Sequence, residues 1–310
     1  MTIYNELLNI KIATLFAIGA ILCGCGNNKN AKTLEESLTT GTIQVSADES
    51  FKPVIDSEVE VFEASHPKAN IVVTYKPEAD CIKDLNNDSV NMIIVTRGLT
   101  REEEGIMKAK LGYIPSYGEL ANDAIAVIVN IQSKDSIFDM SDMRSLVKGT
   151  SGYKYKVVLD GLSATSTVRY VIDSLAGGQP LSKNVMAATS SRGVIDYIGN
   201  NTDAIGMVGV SWIGNKDDTS QTSFLQKVKI ASIECSACQP VAYTKPYQAN
   251  IGMRRYPMVR SLFYILKENY DGLGSGFANF LTLERGQLIF KSAYLFPTRM
   301  SFQVRTTKIN

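Results

Sequence analysis

Histidine is nearly absent: the 310 residues contain one, His66. That excludes two-His and three-His metal centres and the chemistries that need several imidazoles. An excess of either charge is missing too, with 32 Lys and Arg against 31 Asp and Glu and a formal net charge of +1. Such a balance argues against a nucleic-acid binder and a disordered polyelectrolyte, so any charge-driven function must be local. The phosphate-binding loop GxxxxGK[ST], the zinc-protease HExxH and the hydrolase GxSxG do not occur. Ser145-Leu146-Val147-Lys148 matches S-x-x-K, but the companion SDN and KTG motifs are absent, so these residues are expected on a helix surface. Gly272 to Gly276 follows Asn269-Tyr270-Asp271 instead of a strand and reads as a lead-in to a helix. No enzyme and no cofactor are implied.

What is present is a globular composition, 45% hydrophobic and 20% charged, long enough for two domains. Near the amino terminus Lys11 precedes the apolar run Ile12 to Leu22, which is short of the ~20 residues of a bilayer span. Leu22-Cys23-Gly24-Cys25 then resembles a bacterial lipobox, with Cys25 fitting the acylated position better than Cys23. The alternative is an ordinary signal peptide or a buried apolar helix. The following GNNKNAK, polar and small, suits a tether. Export would permit disulfides, and Cys235-x-x-Cys238 reads as a surface disulfide or two free thiols in preference to half a zinc site.

From Thr42 the pattern alternates strand and helix. Strands are expected at 42–46, 70–75, 90–96, 124–130, 156–159 and 204–210, and helices at 51–65, 79–86, from about 100, 141–147, 167–176, 193–199 and 277–293. This predicts an α/β fold with mostly parallel sheets. Three strand-to-helix turns are rich in small hydroxyl residues: Ser46 to Phe51 with Ser50, Thr96-Arg97-Gly98, and Ser163-Ala164-Thr165-Ser166-Thr167. At a helix start such residues either hold an anion with the unpaired backbone N–H groups or simply cap the helix.

In this order the turns make the sequence resemble the phosphate-binding proteins of bacterial phosphate ABC transporters, periplasmic solute-binding proteins, over about Thr42 to Pro297. Ser50-Phe51-Lys52-Pro53 stands where that family has Ser/Thr-Phe-x-Pro. Thr165-Ser166-Thr167 after Val157-Val158-Leu159-Asp160 matches its Ser-Gly-Thr anion turn, without the Arg that usually precedes it. Ala204 to Gly209, Tyr256 to Phe263, and Phe277 to Ala293 followed by Tyr294-Leu295-Phe296-Pro297 match later segments. The second turn, Glu78 to Cys81, lacks the family's Ser-Gly-Gly character, and the third, Thr96-Arg97, lacks its acid.

The resemblance implies a two-lobed fold with a hinge of two crossing strands: signal peptide and acylated Cys in 1–25, tether in 26–41, one lobe from 42–126 and 252–310, the other from 127–251. It implies a lipid-anchored receptor on the periplasmic face of the cell envelope, a monomer that captures inorganic phosphate or a related oxyanion for an ABC permease. The alternative is an interaction or sensing lipoprotein with a degraded anion site. Implied ligand residues are Ser50, Phe51, Thr96, Arg97, Ser163, Thr165, Ser166 and Thr167. With its acid missing and Arg97 available as a clamp, the site is expected to separate phosphate from sulfate less sharply than its relatives, unless Asp48, Asp80 or Asp160 turns inward. The nine Lys and Arg of the last sixty residues, Arg260 among them, read as a basic face or a solvated surface.

Overall fold

The computed structural model describes residues 36–161, 165–215 and 217–299. The acylation candidate Cys25 and the turn residue Ser163 lie outside them. The first strand, β1 (Thr40–Asp48), leads through a single turn at Glu49–Phe51 into α1 (Lys52–Ser65), β2 (Lys68–Lys76), α2 (Glu78–Lys83) and β3 (Met92–Val95). Next come α3 (Arg101–Leu111), β4 (Ser116–Asn130), β5 (Ile137–Phe138), α4 (Met140–Lys148), β6 (Lys156–Leu159) and α5 (Ser166–Tyr170), which continues as a π-helical turn over Val171–Ala176. The chain proceeds through β7 (Val185–Ala187), α6 (Ser191–Asn200), β8 (Ala204–Gly209), α7 (Thr219–Leu225), β9 (Val228–Ile230), β10 (Ser232–Cys235) and β11 (Ala242–Thr244). It ends with α8 (Gln248–Gly252), β12 (Val259–Leu266), α9 (Leu273–Thr282), α10 (Glu284–Ser292) and β13 (Phe296–Pro297).

The main sheet runs β2-β1-β3-β12-β4-β8-β6-β7. Its outer parts are parallel, β2-β1-β3 on one side and β8-β6-β7 on the other, and antiparallel pairs join them in the middle. One strand links both halves: β4 pairs with β12 up to Ala124 and with β8 from Ile125 onward. It is longer than its apolar stretch predicts: its first four residues, Ser116 to Glu119, are exposed or half-buried. Local chemistry accounts for several helix boundaries. Thr100 and Glu103 form a reciprocal capping box at the start of α3, and Gly112, in the left-handed region at φ 83°, stops it.

One expected helix is two. The segment 277–293 breaks at Leu283, which is extended at φ −96°, ψ 176°. Gly286 then lets α10 fold against its predecessor: a Cβ there would lie 2.4 Å from the Phe280 carbonyl oxygen. Cys235 and Cys238 are joined in a disulfide, and Cys81 is free and buried. Ser145 donates to the Asp142 carbonyl within its own helix, as a surface helix residue does.

Candidate ligand-binding site

The two parallel groups of strands aim their carboxyl ends at one another's turns, the place where α/β sheets bind ligands. From β1 comes Asp48, whose Oδ1 accepts from the Ser50 backbone N–H at 3.0 Å and fixes the turn that carries Ser50. From beyond β6 come Asp160 and the turn into α5. There Thr165 acts as the helix cap, accepting from Val168 N–H at 3.2 Å, and Ser166 and Thr167 stand fully buried behind it. Ser50 Oγ lies 3.5 Å from Ser166 Oγ and 3.4 Å from Thr167 Oγ1, so hydroxyls from the two halves of the sheet meet directly.

Two further groups complete this cluster. Asp160 Oδ2 accepts from Ser50 at 3.2 Å, Thr167 at 3.2 Å and Ser191 at 3.4 Å, and its Oδ1 accepts from Thr165 at 2.9 Å. Arg260, on β12, donates from Nη1 to Ser166 Oγ at 2.7 Å and to Thr167 Oγ1 at 3.2 Å, and from Nε to Asp123 Oδ2 at 2.9 Å. Its guanidinium carbon stands 4.8 Å from the Phe51 ring centroid, a cation–π distance. Arg260 is therefore no part of a basic face: it is 7% exposed and lies on the inward side of its strand.

Three buried atoms of the cluster have no hydrogen-bond partner: Arg260 Nη2, Asp48 Oδ2 and Asp123 Oδ1. Beside the first of them is Gly209, where a Cβ would approach Nη2 to 3.1 Å and the Ser50 carbonyl to 3.2 Å. Burial pushes the Asp48 carboxyl up to about 7, against the opposing pull of the Arg260 charge and the Ser166 hydroxyl. Burial likewise raises Glu49, whose carboxylate accepts from the Ser191 hydroxyl at 2.9 Å and so reaches from the β1 turn to the start of α6.

A second arrangement lies nearby. The Glu78 carboxylate accepts from the Thr96 backbone N–H at 2.8 Å and from the Thr96 hydroxyl, and Arg169 of α5 donates to it from Nε at 2.7 Å. Burial pushes the Glu78 carboxyl up, but the hydrogen bonds and charge of Arg169 and the two Thr96 donors outweigh it and hold the group below its ordinary value. Glu78, Arg97 and Arg169, with the apolar Ala79, Ile82, Val168 and Ile172, line a cavity of about 450 Å³.

The structure thus brings Ser50, Phe51, Thr165, Ser166 and Thr167 together and sets Thr96 in the adjoining arrangement. Arg97 is engaged elsewhere: Nη1 and Nη2 each donate to Glu103 at 2.7 Å, the pairing that competes with a clamp role. Of the three acids that might restore an acceptor, Asp48 and Asp160 turn inward, and Asp80 pairs with Lys83 at the surface.

Sequence reasoning missed Arg260 and Asp123 as site residues, along with Glu49, Glu78, Arg169 and Ser191. The first two had a signal: each is a charged residue at an inward-facing position with apolar residues on either side in the same register, Asp123 between Ala121 and Ile125 and Arg260 between Met258 and Leu262, and they are cross-strand partners.

Among solved structures, a protein from Clostridium perfringens assigned as a phosphate ABC transporter substrate-binding protein, with bound phosphate, superposes with a TM-score of 0.67 at 19% identity, over 84% of this chain and 100% of that one. An ABC-type phosphate transport receptor from Vibrio cholerae gives 0.60 at 17% identity, over 82% and 99%. A possible phosphate binding protein from Planctomyces limnophilus gives 0.56 at 18%, over 83% and 93%. At these identities the likeness establishes a shared two-lobed fold. No curated protein matches the sequence. The model of the PBP superfamily domain matches residues 33–285, most of the chain, and on that match the chain belongs to the PBP superfamily.

Proposed function

We propose that this protein is a non-catalytic receptor that captures inorganic phosphate between its lobes and hands it to an ABC permease. The observation that carries this reading is the pairing of two unsatisfied buried groups in a cluster of hydroxyls: Arg260 Nη2, a donor, and Asp48 Oδ2, an acceptor. A partially protonated oxyanion answers both, giving an oxygen to the guanidinium and an O–H to the carboxylate. The hydroxyls of Ser50, Ser166 and Thr167 can donate to its remaining oxygens. Sulfate has no proton at neutral pH and offers an ionised Asp48 no donor, so the site is expected to favour phosphate most above about pH 7, where Asp48 ionises.

Supporting this are the family membership and the phosphate named for three structural relatives. The lobes proposed are 42–126 with 252–310, and 127–251, closing about β4 and the segment before β12. Calorimetric titration with phosphate, sulfate, molybdate and tungstate tests the reading: micromolar phosphate binding with sulfate at least a hundredfold weaker is expected. The absence of heat with all four, in wild type and Asp160→Ala alike, would remove it in favour of a docking protein. We further propose a monomer held at the envelope membrane by an acylated Cys25. Mass spectrometry of membrane-extracted protein should find a lipidated Cys25 terminus; an unmodified terminus elsewhere would refute it. Among the described residues no helix is long and apolar enough to cross a membrane.

A further inference from the structure

The most unusual group in the cluster is Asp160. It is 6% exposed, yet no cation pairs with it among the described residues; the neighbouring guanidinium of Arg260 is bonded to Asp123, Ser166 and Thr167. Hydroxyls surround it: Thr165 donates to Oδ1, Ser50 and Thr167 donate to Oδ2, and Ser191 Oγ, which donates to Glu49 at 2.9 Å, stands 3.4 Å from Oδ2. These hydroxyls come from three separate turns, after β1, β6 and β7, in both halves of the sheet. A buried carboxylate costs least beside a cation, and a ring of neutral donors gathered from several elements is an arrangement suited to an exchangeable anion.

Resting on the reading of the cluster as an oxyanion site, we infer that the Asp160 carboxylate is an internal stand-in for the ligand: it occupies the hydroxyl cradle, and phosphate binds by displacing it. The O···O edge of a carboxylate is close in length to one edge of a tetrahedral oxyanion, so the hydroxyls that meet one can meet the other. Both cannot be held at once. Asp48 and Glu49 already face the cluster, and a second full anion beside Asp160 in a buried space would be repelled strongly. Asp160 also bridges the two halves of the sheet, bonding Ser50 on the β1 turn from its own place after β6. Displacing it therefore exchanges an internal bridge for a ligand bridge and lowers the affinity by the strength of the bridge lost. On this account Asp160 sets how tightly the receptor holds its ligand.

Its removal separates the possibilities. Phosphate is titrated calorimetrically into the full-length wild type, Asp160→Ala and Asp160→Asn, each first checked for cooperative urea unfolding. Asp160→Ala is expected to bind phosphate at least tenfold more tightly than wild type. Asp160→Asn should fall between them, because the amide fills the cradle without the charge. Binding gained by a variant where the wild type shows none supports the same conclusion. If the wild type binds and the variants bind equally or more weakly, Asp160 is scaffold or a ligand acceptor and the inference is overturned while the phosphate reading stands. If none of the three binds phosphate, that reading fails and takes the inference with it. Should Asp160→Ala not fold, Asp160→Asn decides by the same comparison.

Discussion

Arg260 and Asp123 stand directly opposite each other on β12 and β4, joined from Nε to Oδ2 at 2.9 Å, with side chains 4% and 0% exposed. The pair sits where the antiparallel centre of the sheet passes between the two parallel groups, so it ties the candidate site to the strands that connect the lobes. Arg260→Met would strand a buried carboxylate and is expected to destabilise the fold by about 3–5 kcal/mol in urea melts, and Arg260→Met with Asp123→Leu to recover most of that. Phosphate binding should be lost in both variants. A single-variant cost under about 1 kcal/mol, the range of an exposed pair, would show that the pair contributes little.

Asp48 makes stability depend on pH. Its carboxyl rises on folding from 3.8 to about 7, because burial disfavours the charge more than Arg260 and Ser166 favour it. The folded chain therefore holds this proton where the unfolded chain has released it. Its contribution to stability falls as pH rises from about 4 to about 7 and then stays constant, with a limiting slope of about 1.4 kcal/mol per pH unit for one proton. Asp48→Asn should flatten that part of the profile in denaturation curves taken across the range. An identical slope in wild type and variant would refute the assignment.

Glu78 and Arg169 behave in the opposite sense. The Glu78 carboxyl, pushed up by burial but held below its ordinary 4.5 on balance, contributes stability above that value and loses it as pH falls through the folded pKa. Arg169 is partly exposed, so Arg169→Met is expected to cost a modest ~1–2 kcal/mol at pH 7. The difference between variant and wild type should shrink toward acid pH, where a protonated Glu78 no longer needs the cation. A difference that is constant from pH 7 to pH 3 would point to packing of the Arg169 stem in place of its charge.

Arg97 and Glu103 form a bidentate pair that also steadies the capping box of α3. The Arg97 hydrogen bonds outweigh partial burial and pull the Glu103 carboxyl down to about 2. Arg97→Ala is expected to lower stability by roughly 0.5–1 kcal/mol and to leave phosphate affinity within twofold, since its guanidinium is occupied outside the hydroxyl cluster. A tenfold loss of affinity in calorimetry would return Arg97 to the site.

Much of this protein was legible in order and chemistry. Apolar runs and period-3.6 patterns located six of the thirteen strands among the described residues and most of the helices, because those signals arise from local burial and helix geometry. The Ser50-Phe51 and Thr165-Ser166-Thr167 turns were visible as hydroxyl-rich links between strand and helix, and they meet in the folded chain. The break at Leu283 was hidden; the folded chain turns there, and Gly286, three positions on, permits the close approach to the Phe280 carbonyl that follows.

By itself the sequence determined the alternation of elements and the residue types available at each turn. Which of those residues face one another was decided only by tertiary structure. Arg97 and Arg260 look alike as charged residues near strand ends or within strands, yet Glu103, six positions away, captures the first, and the β4–β12 register delivers the second to Ser166 and Asp123. Asp160 is likewise one of three acids that the sequence offers as a possible acceptor, and only the folded chain brings hydroxyls from the β1 and β7 turns to it while leaving Asp80 at the surface. A charged group's partner depends on distances across the sheet, and strand register, set by the whole buried face, fixes those distances.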